Sequence, residues 1–95
     1  MPYAIVLAPS AVRELQNLSA FERGHVRDAI ERHLRQAPTH VSRSRIKRLR
    51  GITRPQFRLR VGDIRVFYDV AGDRVEILAV ITKSQAEEWL GKEGS

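Results

Sequence analysis

The segment FRLRVGDIRVFY, residues 57–68, constrains the fold of this chain more than any other stretch. Its centre, Gly62-Asp63, is a two-residue turn signal between two runs in which apolar and polar residues alternate, which is the pattern of a β-hairpin. Because side chains alternate across a strand, one face of the hairpin is apolar and is expected to face the core. The residues on that face are Phe57, Leu59, Val61, Ile64, Val66 and Tyr68.

The opposite face of the predicted hairpin carries Arg58, Arg60, Arg65 and Phe67, with Arg60 directly across from Arg65. Like charges paired across a sheet destabilise it, by about 0.2–1 kcal/mol for a directly opposed pair. An ordinary solvated face would intersperse glutamates among the arginines, and this face has none. We therefore predict that an anion binds there.

The basic residues of the chain are concentrated around this hairpin. The net charge is +6, and between residues 43 and 65 the only acidic residue is Asp63, whereas outside that window acidic residues outnumber basic ones. Such a patch favours a polyanionic partner, either nucleic acid or an acidic protein segment. Arginine predominates, and its forked guanidinium favours phosphate recognition. The additional candidate phosphate-binding residues are Arg45, Lys47, Arg48, Arg50 and Arg54.

Several classes of protein and site are disfavoured by the composition. The chain has no cysteine, which excludes a disulfide scaffold and a cysteine-based metal site. The longest apolar run is too short to span a bilayer and no signal peptide opens the chain, so we predict a cytoplasmic protein without membrane association. The three histidines lack metal-ligand spacing, and the basic region lacks paired carboxylates. We expect no metal and no cofactor.

The hydrophobic periodicity predicts one small α+β domain over residues 1–95. A helical hairpin would cover one face of an antiparallel sheet of about four strands, a short C-terminal helix would follow, and residues 91–95 would fray. The predicted elements are a strand at 3–8, a helix capped by Ser10, a helix from the Ser19–Glu22 capping box to about Gln36, strands at 46–49, 56–61, 64–70 and 75–81, and a helix from the Ser84–Glu87 capping box to Leu90.

This order of elements, with the motifs PSAVREL, RLRG, FRLRVGDIRVFYDV and VEILAV, resembles the RelE/ParE superfamily of bacterial toxin–antitoxin toxins from Tyr3 to about Trp89. The resemblance implies the RelE/ParE-like fold and one of two activities. RelE-like members cleave messenger RNA at the ribosome without a metal, whereas ParE-like members inhibit DNA gyrase and catalyse no reaction. Both kinds are neutralised by a cognate antitoxin, and the pair often represses its own operon.

The resemblance also implies roles for individual residues. Arg58 and Arg60 stand where RelE-like toxins have catalytic lysines, and Arg65 matches the arginine on the next strand. Lys83 falls about where a further arginine would lie, and Trp89 about where a C-terminal tyrosine would be. Since arginine stays protonated, proton transfer needs another group. The candidates are Lys83, Tyr68 and His40, although alternation places Tyr68 in the core.

We therefore predict a RelE-like toxin that inhibits translation by metal-independent cleavage of ribosome-bound mRNA. Arg58, Arg60 and Arg65 would stabilise phosphate, and Lys83 would donate a proton. Phe67 and Trp89 are candidate RNA contacts, with core packing as the alternative for Trp89. The alternative functions are a ParE-like gyrase inhibitor and a catalytically weak homologue that acts as co-repressor, reaching operator DNA only through its antitoxin. In each case an acidic antitoxin segment would cover the basic face.

Overall fold

The computed structural model describes residues 2–95 and shows the α+β architecture that the sequence predicts. No helix in this range combines the length and apolar character that crossing a membrane requires. In chain order the elements are β1 (Ala4–Leu7), α1 (Pro9–Gln16), α2 (Ala20–Ala29, continued by a π-helical turn over Ile30–Leu34), β2 (Ile46–Arg48), β3 (Phe57–Val61), β4 (Ile64–Ala71), β5 (Arg74–Thr82) and α3 (Lys83–Glu93).

The described residues form a mixed sheet of five strands in the order β1-β5-β4-β3-β2. Strands β2, β3, β4 and β5 pair with one another in antiparallel fashion, as predicted. Strand β1 pairs with the other edge of β5 in parallel. The expectation of about four antiparallel strands is corrected in this respect. Strands β1 and β2 lie at opposite edges of the sheet, and α1 and α2 connect them. The last strand, β5, is the one that pairs with β1.

The predicted hairpin register is confirmed. Arg60 lies across from Arg65, Arg58 lies across from Phe67, and the β3–β4 turn consists of Gly62-Asp63. Gly62 has φ of +58°, a conformation that a glycine adopts without steric cost and that this type of two-residue turn requires. The turn therefore fixes which side chains share each face.

The apolar face of the sheet packs against α1 and α2 to form the main core. Tyr68 is fully buried there, and its hydroxyl donates a hydrogen bond of 2.6 Å to the carbonyl oxygen of Pro38 in the segment after α2. Burial raises the pKa of the Tyr68 hydroxyl far above its usual value. Tyr68 is thus a core residue that ties the helical layer to the sheet.

Two of the three predicted helix caps are corrected. Ser19 caps α2 as expected, with its Oγ accepting from the Glu22 N–H. However, α1 begins at Pro9, a residue favoured in the first turn, and α3 is capped by a Thr82–Gln85 box instead of Ser84–Glu87.

The C-terminal segment is more ordered than the sequence suggested. Helix α3 continues past Leu90 to Glu93, where fraying from residue 91 was expected. Ser95 then pairs with the segment before β3, because its backbone N–H donates to the Arg54 carbonyl and its carbonyl accepts from the Thr53 N–H. These bonds fix the end of α3 against the sheet.

Strand β5 extends beyond its partner β1, which leaves part of one edge of β5 without a neighbouring strand. Side chains of α1 occupy this edge: the Ser10 hydroxyl donates to the Leu78 carbonyl at 3.2 Å, and Glu14 accepts from the Val80 N–H at 2.9 Å. Partial burial raises the pKa of the Glu14 carboxyl above its usual value. Ser10, predicted as a helix cap, therefore bonds to the sheet.

Replacing Tyr68 with phenylalanine is expected to lower the free energy of unfolding by about 1–3 kcal/mol, because the Pro38 carbonyl loses its buried donor. Urea denaturation of Tyr68→Phe and of Tyr3→Phe would check this. Tyr3 is only partly buried, so its variant should stay close to the parent. Equal effects of the two substitutions would contradict the role given to the Tyr68 hydroxyl.

Candidate nucleic-acid interface

The sheet face opposite α1 and α2 carries a cluster of four cations, which we call the arginine face: Lys47 on β2, Arg58 and Arg60 on β3, and Arg65 on β4. The strand register places Lys47 across from Arg58 and Arg60 across from Arg65. Among residues 2–95, the ion pairs involve other arginines and lysines, and none includes a member of this face. Its positive charge is therefore not compensated by the protein.

Arg58 shows most clearly the electrostatic cost of this arrangement. Partial burial lowers the pKa of its guanidinium, and the charges of Arg65 and Arg60 lower that pKa further. Its Nε is buried and, among the described residues, has no hydrogen-bond partner. A buried donor without an acceptor costs about 1–3 kcal/mol. An anion bound beside Arg58 would supply the acceptor and relieve the repulsion.

Arg65 has a different environment from the one the sequence suggested. Only 8% of it is exposed, and its Nη1 donates to the carbonyl oxygens of Gly62 at 2.8 Å and Ile64 at 3.2 Å. Arg65 therefore holds the hairpin turn and adds its positive charge to the arginine face from beneath. The outer members of the face are Lys47 and Arg60, with Arg58 partly exposed between them.

Phe67 is not exposed on this face, contrary to the prediction, because Trp89 packs over it. Helix α3 covers this part of the face, where Phe67, Ala79 and Ile81 form a second small core. The Trp89 ring stacks on Phe67 with 5.0 Å between ring centroids, and Phe67 is only 1% exposed. The alternation of apolar and polar residues placed Phe67 on the correct face of the sheet. That alternation does not predict which helix packs on the face. The alternative role of Trp89, core packing, is the one seen.

The other predicted phosphate-binding residues are dispersed. Arg54 forms ion pairs with Asp69 at 3.1 Å and Glu76 at 2.7 Å, so its charge is compensated. The Arg48 guanidinium lies 5.1 Å from the Phe57 ring centroid, on the helical side of the sheet edge. Arg50 is exposed and lines a groove along the β2 edge with Lys47 and Arg48.

Lys83 and Arg45 lie beside the arginine face and are exposed. The Lys83 backbone N–H donates to the Asp63 carbonyl at 2.8 Å, which places the first residue of α3 next to the hairpin turn. The Arg45 carbonyl accepts from the Arg60 N–H at 2.9 Å, continuing the β2–β3 ladder by one residue. Both therefore border the face at its Arg60–Arg65 end.

The geometry separates phosphate binding from proton transfer. The hydroxyl of Tyr68 is in the core on the other side of the sheet, and His40 is exposed in the loop before β2. Lys83 is the one sequence-predicted proton donor next to the face. Within residues 2–95, no cluster of three histidine, aspartate or glutamate side chains could hold a metal ion. The arginine face can thus bind and stabilise a phosphate, and Lys83 is its nearest candidate for moving a proton.

Comparison with known proteins identifies related toxins. The family model for the ParE toxin of the type II toxin–antitoxin system, parDE, matches residues 5–87. No curated protein sequence matches the chain significantly.

Solved structures with the same fold include the toxin–antitoxin complex RelBE2 from Mycobacterium tuberculosis, with a TM-score of 0.74 and 26% identity over 87% of this chain and 100% of that chain. The archaeal RelE–RelB complex from Pyrococcus horikoshii has a TM-score of 0.72 and 23% identity over 90% and 99% of the two chains. A double arginine-to-alanine mutant of the E. coli toxin RelE in the free state has a TM-score of 0.70 and 20% identity, covering 94% of this chain and 92% of that chain.

Trp89→Ala is expected to lower the free energy of unfolding by about 1–3 kcal/mol, because the partly buried ring no longer covers Phe67. Trp89→Phe should retain most of the stack and the stability. Chemical denaturation followed by circular dichroism checks both, with Glu87→Ala, an exposed change on the same helix, as the control. Unchanged stability of Trp89→Ala together with weaker RNA binding would instead favour the base-stacking role.

Arg58→Met is expected to raise the free energy of unfolding by about 0.5–1 kcal/mol, because it removes an unpaired buried donor and two repulsive interactions. The same change should weaken the stabilisation of the fold by added phosphate. Thermal unfolding with and without phosphate would measure both effects, with Arg13→Met on α1 as the matched control. A loss of stability in Arg58→Met would show that its guanidinium is a structural group.

Proposed function

The chain belongs to the ParE toxin family of type II toxin–antitoxin systems, and from that premise we propose that it inhibits translation by cleaving ribosome-bound mRNA without a metal ion, as RelE-like toxins do. The observation that carries this proposal is the uncompensated arginine face, above all the buried Arg58 Nε, which has no acceptor within residues 2–95. A phosphate provides the acceptor oxygens and the negative charge that this face lacks.

RNA brings its own nucleophile to such a site. The 2′-oxygen forms a bond to the adjacent phosphorus as the bond from phosphorus to the 5′-oxygen breaks, which yields a 2′,3′-cyclic phosphate and a 5′-hydroxyl. The proton of the 2′-hydroxyl passes to solvent water, and a second proton is added to the departing 5′-oxygen. No metal is needed if the strand is held in line and if cations stabilise the negative charge of the crowded intermediate.

The arginine face would stabilise the negative charge of the crowded intermediate. Arg58 and Arg60 would contact the phosphate oxygens, while the buried Arg65 holds the turn in shape and contributes charge. Because the donors are fixed on paired strands, little reorganisation is needed when the negative charge develops. Lys83, fixed beside the turn by its backbone bond to Asp63, is the proposed proton donor to the 5′-oxygen.

The same face suits a cognate antitoxin. Two of the similar solved structures are complexes of a toxin with its antitoxin. We infer that an acidic antitoxin segment places carboxylates against the arginine face and so competes with the RNA phosphate for the same donors. Neutralisation would then require no change in the fold of the toxin.

Inhibition of DNA gyrase is the second candidate function. It is favoured by the matching family model, which is that of ParE, and by the fact that the arginine face contains only arginine and lysine side chains. Arginine and lysine are protonated at neutral pH, so neither is an ordinary proton acceptor there. A gyrase inhibitor acts by binding and needs no such group.

Expression of the chain alone, in a host without an antitoxin, distinguishes these functions when new protein, DNA and RNA are pulse-labelled separately. We expect protein synthesis to stop first. Arg60→Ala should restore growth, because it removes the outermost guanidinium of the face, whereas Arg13→Ala, an exposed arginine on α1, should remain toxic. Arg60→Lys should be intermediate, since it keeps the charge and loses the forked geometry.

Earlier loss of DNA synthesis than of protein synthesis would replace the RNA-cleaving function with gyrase inhibition. A soluble protein that affects none of the three labels would instead identify a homologue that only assists its antitoxin at operator DNA. Mapping 5′-hydroxyl ends on ribosome-bound mRNA would confirm cleavage directly, and intact mRNA during an arrest of translation would contradict it.

A further inference from the structure

A second cationic site lies outside the arginine face, in a cavity of about 170 Å³ between the π-helical end of α2 and the segment that leads into β2. We propose that this cavity binds a phosphate group of the same RNA strand that contacts the arginine face, an inference that rests on the proposed function. The polar side chains that line it are Arg32, His33, His40, Ser42 and Arg45.

The side chains around the cavity are arranged to donate hydrogen bonds. Ser42 Oγ accepts from the backbone N–H groups of Arg45 and Ile46, each at 3.1 Å. With both of those bonds directed at its oxygen, the hydroxyl retains its proton for a third partner. The Arg45 side chain is exposed and takes part in no ion pair among residues 2–95. The Ser42 hydroxyl and the Arg45 guanidinium therefore remain available to donate to a ligand.

The electrostatic field of the cavity is positive. Burial lowers the pKa of His33, the charges of Arg45 and Arg32 lower it further, and Asp28 acts in the opposite direction. Asp28 is itself paired with Arg32 at 3.4 Å, with both side chains about 70% exposed. The one carboxylate that acts on His33 is thus shared with an arginine, and an anion in the cavity would favour the protonated imidazole.

The shape of the donor set favours phosphate over carboxylate. The polar residues of the cavity come from three separate segments, which are the end of α2, the turn that contains His40 and Ser42, and the position of Arg45 just before β2. A phosphodiester offers tetrahedrally arranged oxygens to such a set, whereas a carboxylate offers two oxygens in a plane. Arginine also matches phosphate geometry with its fork.

Arg45 connects this cavity to the arginine face. Its carbonyl accepts a hydrogen bond from the Arg60 N–H at 2.9 Å, and the residue also lines the cavity together with His33. Neighbouring strands lie about 4.8 Å apart, so the two cationic sites are separated by only the width of the β2 edge. An RNA strand bound at Arg60 that continues across the β2 edge would therefore reach the cavity with one of its next phosphates.

The three histidines of the chain allow a direct test by nuclear magnetic resonance. The imidazole signals would be titrated with pH in sulfate, a tetrahedral dianion, and in chloride at equal ionic strength. We expect the pKa of His33 to rise in sulfate by about one unit, which corresponds to tenfold tighter anion binding by the protonated form. Anion binding should therefore strengthen as the pH falls.

His25 is the internal control, because it packs beside Phe21 at the start of α2 with 4.6 Å between the ring centroids. The imidazole signals of His25 should be the same in both salts. Arg45→Ala should abolish the sulfate effect on His33, and Arg13→Ala should leave it intact. An equal response of the His25 and His33 signals to sulfate, or no response of His33, would overturn the proposal.

Binding of a single-stranded RNA that carries 2′-O-methyl groups, and so cannot be cleaved, tests the RNA path separately from toxicity. The plot of the logarithm of affinity against that of salt concentration should become shallower by about 0.7 in Arg45→Ala, because one phosphate is no longer neutralised, and remain unchanged in Arg13→Ala. An unchanged slope in Arg45→Ala, with a reduced slope in Arg60→Ala, would refute the second site and leave the proposed function standing.

Unchanged slopes in both Arg45→Ala and Arg60→Ala would overturn the inference and the proposed function together. A rise in the pKa of His33 with polyglutamate but not with the RNA would identify an acidic protein segment as the occupant and overturn the RNA assignment.

Discussion

The repulsion between Arg60 and Arg65 across the β3–β4 hairpin is the constraint that the rest of the structure accommodates. It costs about 0.2–1 kcal/mol, whereas burial of each large apolar side chain on the other face stabilises by about 1.5–3 kcal/mol. Leu59 and Val66 are fully buried on that face. The core therefore outweighs the repulsion, and the hairpin can hold several guanidiniums together without a carboxylate.

Arg65 reduces part of the repulsion by a route that preserves the charge. Its guanidinium turns back to the carbonyls of Gly62 and Ile64, whose partial negative charges solvate it inside the protein. Arg58 is not stabilised in this way, because its Nε has no acceptor among the described residues. The protein thus supplies acceptors to the Arg65 guanidinium, whereas the Arg58 Nε is left without one among the described residues.

The hairpin could be predicted from the sequence because the residues that determine it are close together in the chain. Alternation and the Gly62-Asp63 turn fix the register, and Ser19 with Glu22 fixes the start of α2. The family resemblance rested on this hairpin together with the order of elements and three other short motifs, and the match over residues 5–87 confirms it. These features depend on residues that are close together in the chain.

The features that sequence reasoning missed depend on residues far apart in the chain. The partners of Arg54 lie 15 and 22 positions away, at Asp69 and Glu76, so the basic window concealed an arginine whose charge is compensated. Packing of Trp89 was among its expected roles, but helix α3 has no buried residue, so its pattern did not indicate that the partner would be Phe67. The cavity beside His33 likewise requires the end of α2 and the β2 approach to be brought together by the core.

The bonds that Ser10 and Glu14 make to β5 have a consequence for association. A strand edge with free N–H and carbonyl groups is a template on which another chain can add a strand. Because the α1 side chains bond to Leu78 and Val80, that stretch of β5 has two fewer free backbone groups to offer an incoming strand. Helix α1 thereby lowers the tendency of this sheet edge to pair with a strand of another chain.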